Sequence, residues 1–161
     1  MKRGMTLIIM LLAAAALFCS CKWKKPFETD APMCGFEFSH SGMHTGLIYT
    51  LMAEKDDGGW HADLSLLCGE REYSLAMTEN DVQELESIIE THHLTHWNDF
   101  DKVDPSALDG TSFDLIIRYE DGQKAAASGS NAFPEGYRAA HEAIVQFFGA
   151  LMERNGIENP L

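Results

Sequence analysis

Residues 34–68 read CGFEFSHSGMHTGLIYTLMAEKDDGGWHADLSLLC, and this stretch decides the fold. In residues 34–39, Phe36 and Phe38 fall on one face and Glu37 on the other, the period-two pattern of a half-buried strand. His40, Ser41, Gly42, Met43 and His44 read as a turn. Residues 46–54 and 60–68 are two further strands. Between them Asp56-Asp57-Gly58-Gly59 supplies glycines that tolerate positive φ in a hairpin loop. Together the three strands predict an antiparallel meander. Its middle strand would separate Cys34 from Cys68 by two strand spacings, about 9 to 10 Å. A disulfide needs Cα atoms within about 7 Å. The simple meander and a Cys34–Cys68 disulfide therefore exclude each other, and the sequence leaves both open.

Toward the C-terminus, residues 72–76 form a short strand. Thr78 follows as a helix N-cap, with Asp81 placed to favour the positive helix end. Val82, Leu85, Ile88 and Ile89 recur at helical spacing, so residues 79–93 read as an amphipathic helix. Residues 112–120 put Phe113, Leu115, Ile117 and Tyr119 on one face. Asp121-Gly122 turns the chain and residues 123–128 return it. Pro134 starts the last helix, where its missing N–H costs nothing. That helix carries an apolar stripe of Tyr137, Ala140, Ile144, Phe147, Phe148 and Leu151 and stops at Asn155-Gly156. The expected class is α+β over residues 34–161: an antiparallel sheet of about five to six strands, a meander plus a C-terminal hairpin, with two amphipathic helices packed on it.

Toward the N-terminus the character changes. Lys2 and Arg3 precede an uninterrupted apolar run of 12 residues, Leu7 to Phe18. That is the core of a signal peptide, too short for a spanning helix, which needs roughly 20 apolar residues. The junction Leu17-Phe18-Cys19-Ser20-Cys21 resembles the lipobox of bacterial lipoproteins: an apolar residue, a variable one, a small one, then the lipidated cysteine. The resemblance implies a signal peptide over residues 1–20, an acyl group such as palmitate on Cys21, and a location in the cell envelope. The domain would be anchored to the cell membrane or outer membrane, facing the periplasm or the surface. Residues 21–33 would be the anchor and a proline-containing tether. Lys22, Trp23, Lys24 and Lys25 suit anionic headgroups.

The whole chain of 161 residues carries a net charge of −13. Removing residues 1–20 takes away Lys2 and Arg3 and no acid, which leaves 10 basic against 25 acidic residues and a net charge of −15. Such a chain is repelled by nucleic acid and attracts a cationic partner.

Few residue patterns carry chemistry. His92 and His96 stand at the i, i+4 spacing of a two-histidine metal site. The same residues fit a helix C-terminus, where imidazolium meets the dipole favourably. His40, Met43 and His44 form a soft set suited to copper, or simply a turn. Asn98, Asp99, Asp101 and Asp104 resemble a calcium loop, but Val103 and Asp104 break its spacing. There is no G-x-S-x-G elbow, no S-x-x-K pair and no Walker loop. The expectation is no catalytic residue and no cofactor.

A further text runs from Trp97 through Leu108-Asp109-Gly110-Thr111-Ser112-Phe113 to Ser128-Gly129-Ser130-Asn131-Ala132-Phe133-Pro134. It is similar to a pattern in uncharacterised bacterial secreted and lipid-anchored domains, in which D-G-T-S enters a hairpin and G-x-N-x-[FY]-P enters the last helix. The similarity implies a fold and no activity. Structurally, Asn131 is suited to capping backbone N–H groups and Phe133 to stapling onto the helix it precedes. Functionally, Trp97, Asp109, Ser128 and Asn131 would form a shallow polar site. These readings converge on a lipid-anchored, non-enzymatic binding or accessory module that meets another envelope protein or a polymer through a sheet edge or loops. The alternative is a metal-binding protein or metallohydrolase using His92 and His96, with His40 and His44.

Overall fold

The computed structural model describes residues 27–42, 48–67, 69–106 and 110–161. The signal peptide, Cys21, the basic patch after it, Met43, His44, Cys68 and Asp109 lie outside them.

Four strands come first: β1 (Met33–Gly42), β2 (Ile48–Asp56), β3 (Gly59–Leu66) and β4 (Arg71–Ala76). Helix α1 (Glu79–Thr91) and a single 3-10 turn (Leu94–Trp97) follow, then β5 (Phe100–Val103), β6 (Thr111–Tyr119), β7 (Lys124–Ser130) and helix α2 (Tyr137–Arg154). The sheet has seven strands in the order β4-β3-β2-β1-β6-β7-β5. The meander and the hairpin are both present, antiparallel throughout.

The structure corrects the expected sheet in two respects. It has seven strands, not five to six, and it is mixed, because β5 runs parallel to β7 at the edge. Residues 98–104, whose acids resemble a calcium loop with broken spacing, contain that extra strand. The supposed turn at His40 is also strand: β1 continues to Gly42, so His40 follows Phe36 and Phe38 onto the same face.

Register explains the core. Across the inner face run three rows: Leu75, Ala62, Ala53, Phe36, Ile117 and Ala125; then Tyr73, Leu64, Leu51, Phe38, Leu115 and Ala127; then Leu66, Tyr49, His40, Phe113 and Gly129. The helices bring Leu85 and Ile89 from α1, and Ile144, Phe148 and Leu151 from α2, into the same buried cluster. Each fully buried side chain of this size contributes about 1.5 to 3 kcal/mol. The opposite face is polar. One row across all seven strands reads Glu72, Ser65, Thr50, Ser39, Asp114, Ser128 and Asp101. Beside it, Arg118 bridges Glu37 at 3.3 Å and Glu54 at 2.5 Å.

The helices are tied at one end. Thr78 and Asp81 form a capping box at the start of α1, and the buried Asp81 also accepts from Arg154, in the last turn of α2, at 2.6 Å. Cys34 sits at a register irregularity between β1 and β6 and carries a free thiol. The adjacent Gly35 pairs with Glu54, which pairs in turn with His61, at the far end of the strands from Leu66, which pairs with Tyr49 opposite His40.

Candidate functional site

A groove of about 790 Å³ opens where the end of α1, the edge strand and the start of α2 meet. One wall is built from Thr91, His92, His93 and His96. Asn98, Asp99, Phe100 and Lys102 line the middle, and Phe133–Gly136 with Ala139 make the other wall.

The first wall forms because α1 stops early. The sequence places His92 and His93 in the helix, yet α1 ends at Thr91, and His93 adopts a left-handed backbone with φ 52°. The chain then tightens into the 3-10 turn, anchored by the buried Leu94 and Trp97. His92 and His96 are therefore not one helical turn apart on a continuous helix. The stacked pair is His93 and His96, with ring centroids 5.1 Å apart.

Asp99 is another non-glycine residue in the left-handed region, with φ 60°, as are Leu67 and Asn131 elsewhere in the fold. Asn98 and Asp99 are clamped to β7: the Asn98 side-chain oxygen accepts from the Ala126 N–H at 3.0 Å, and the Asp99 N–H donates to the Ala126 carbonyl at 2.7 Å. Backbone held this way against its preference costs of order 1 kcal/mol or more, and such positions concentrate at functional sites. In β5, the Lys102 ammonium lies 5.2 Å from the Phe100 ring centroid.

The second wall rests on aromatic contacts. Phe133 leans on Tyr137 with centroids 4.5 Å apart, which is the staple-like contact expected of it. The helix begins later than the sequence suggests. Pro134 precedes it, accepting at its carbonyl from the Tyr137 N–H, and Gly136 takes the N-cap with φ 78°.

Behind this wall lies a cluster the sequence did not single out. The Tyr137 hydroxyl and the His40 Nδ1 are hydrogen-bonded at 3.1 Å, and the Tyr49 hydroxyl is paired with the His141 Nε2. The two imidazole centroids are 4.7 Å apart. Burial, and the neighbouring His141, push His40 down to about 4, and burial lowers His141 too, against the opposing pull of Glu142. Burial raises both phenols, Tyr49 and Tyr137, so they keep their protons. A visible signal pointed to His141. It sits four residues after Tyr137 and three before Ile144, within the apolar stripe of α2.

The remaining candidates are scattered. Trp97 is buried against Phe113 and Tyr137, while Ser128 is on the opposite sheet face, where its hydroxyl donates to Asp101 at 3.2 Å. Asn131 does cap backbone, but across the sheet: its side-chain oxygen accepts from the Thr111 N–H at 2.9 Å. Trp97, Ser128 and Asn131 are not brought into one polar site. His40 lies on the sheet and is not among the residues that line the groove. Among the described residues no three His, Cys, Asp or Glu side chains are grouped to hold a metal ion. Compared with models of protein families, with curated proteins and with solved structures, the chain matches none of them.

Proposed function

We propose that this chain is a lipid-anchored envelope protein working as a non-enzymatic binding module, and that its groove takes an extended polypeptide segment of another envelope protein. The observation that carries this is the joint construction of the groove from edge strand β5 and two loops. An edge strand offers backbone hydrogen bonds to an added chain. Phe100 and Phe133 supply apolar contact, and Lys102, Asp99 and Glu135 supply charge of both signs to fix its register. The strained backbone at His93 and Asp99 fits a surface shaped for something other than stability. The lipobox resemblance supports the location, and an acyl adduct at Cys21 in membrane-fraction protein would be its direct sign.

Panning a peptide library against the full chain in detergent micelles tests the groove. Selected peptides should bind at least about tenfold more weakly to Phe133→Ala and His96→Ala variants and equally to Ser74→Ala, on the other face. Equal binding to all three would contradict this assignment. The second reading, metal binding, draws on His92, His93 and His96 sharing one wall. Stoichiometric zinc or copper in untagged protein, lost in His92→Ala and His96→Ala, would replace the first reading with the second. A cationic partner would show as binding that weakens steeply with salt.

A further inference from the structure

We infer that the pairs His40–Tyr137 and Tyr49–His141 form an acid-sensitive latch that fixes the α2 wall of the groove. The inference rests on the groove as binding surface and assigns its regulation.

Tyr137 couples the groove wall to the sheet because it belongs to two contacts at once. On one side its ring supports Phe133, part of the groove wall, and meets Trp97 at 5.9 Å. On the other side its hydroxyl is held by His40, and its ring stacks on His141 at 5.7 Å. The first turn of α2 has no side-chain cap hydrogen bond of its own. Besides the buried Ala140, what ties it down is the contact with the sheet through Tyr137 and His141.

A neutral imidazole nitrogen accepts from a phenol O–H; once protonated, that nitrogen can only donate. Acid thus leaves each ring able only to donate, whichever tautomer it held when neutral, and places two positive rings side by side. Little on the facing elements relieves them. The strands bring Phe38, Phe113 and Leu66, which carry no charge, together with Tyr49, whose phenol stays protonated. The 3-10 turn brings Trp97. On α2 itself Glu142 favours the charged form of His141, but it is engaged by Arg138 at 3.0 Å. Charging the pair therefore loosens α2 at Tyr137, and the wall at Phe133 follows.

Hydrogen exchange of the full chain in detergent micelles at pH 7.5 and pH 4.5, corrected for intrinsic exchange rates, tests the latch without any ligand. Amides of residues 137–145 should lose at least about tenfold more protection than those of β2 and β3. In a His40→Gln, His141→Gln double variant that extra loss should disappear. A Tyr137→Phe variant should expose the same segment at pH 7.5 already. Uniform protection loss across the fold in the wild-type chain would overturn the inference, whatever the variants do. Because no peptide enters the experiment, the latch and the peptide site fail separately.

Discussion

Gly129 shows how a single position serves the fold. A Cβ there would stand 2.1 Å from the Ala132 carbonyl oxygen and 2.6 Å from Phe113 Cε1, so neither backbone nor core leaves room for it. Gly129→Ala should destabilise the chain by about 2 to 3 kcal/mol, read as a lower denaturation midpoint at unchanged slope. Cys34 gives a second residue-scale prediction. A bridge needs Cα atoms within about 7 Å. The register sets Cys34 some six residues along the strands from Leu66, roughly 20 Å. Alkylation of denatured, unreduced soluble domain should therefore modify Cys34 fully, and a mass showing an intramolecular Cys34–Cys68 bridge would contradict the register. At this scale His40 and His141 hid in plain view. Each occupies an inward position of a clear pattern, one of period two and one helical, but His40 was read as part of a turn or a metal set, and His141 was passed over because it is polar.

At the scale of elements, the tie between the helices hangs on Asp81. Its carboxylate takes the Thr78 N–H at 2.7 Å and the Arg154 guanidinium at 2.6 Å while almost buried itself. Asp81→Ala removes the capping box and leaves Arg154 without that partner, and should cost about 2 kcal/mol by chemical denaturation. Arg154→Ala should cost less, since half of that side chain faces solvent. The Thr78 cap and the acid after it were legible beforehand because they are a local pattern, a threonine three residues before an acid, while the reciprocal hydrogen bonds of the box came with the structure. So were the long strands, whose alternation runs for several residues. Strand β5 was not, since it has four residues, three of them exposed, and is a strand only because β7 lies beside it. No local periodicity reports a pairing with a segment over twenty residues later. The early stop of α1 was hidden for a related reason: the buried Leu94 and Trp97 draw the chain into the 3-10 turn, and their burial is a tertiary fact.

For the whole molecule, the half-buried imidazoles set a pH dependence. His40 and His141 are held below the ordinary imidazole value of 6.5, His40 at about 4, so the unfolded chain binds protons more readily than the folded one. Stability is then complete above about pH 6.5 and declines as pH falls toward about 4, the window set by His40. After allowance for the half-exposed rings the loss is on the order of 1 to 2 kcal/mol, or about 5 °C in Tm, and the His40→Gln, His141→Gln variant should lack it. The groove itself was only partly foreseeable. Its histidines were singled out by type, but the far wall at Phe133–Gly136 joins them only through the fold of the whole sheet. The binding-module account stands or falls on that surface in its native setting. The decisive measurement is photocross-linking in intact cells, with a photoreactive residue replacing Phe133 or Lys102, and Ser74 as the control on the open face. The account predicts one defined polypeptide adduct from the two groove positions and none from Ser74. Adducts of equal yield from all three, or from Ser74 alone, would contradict it.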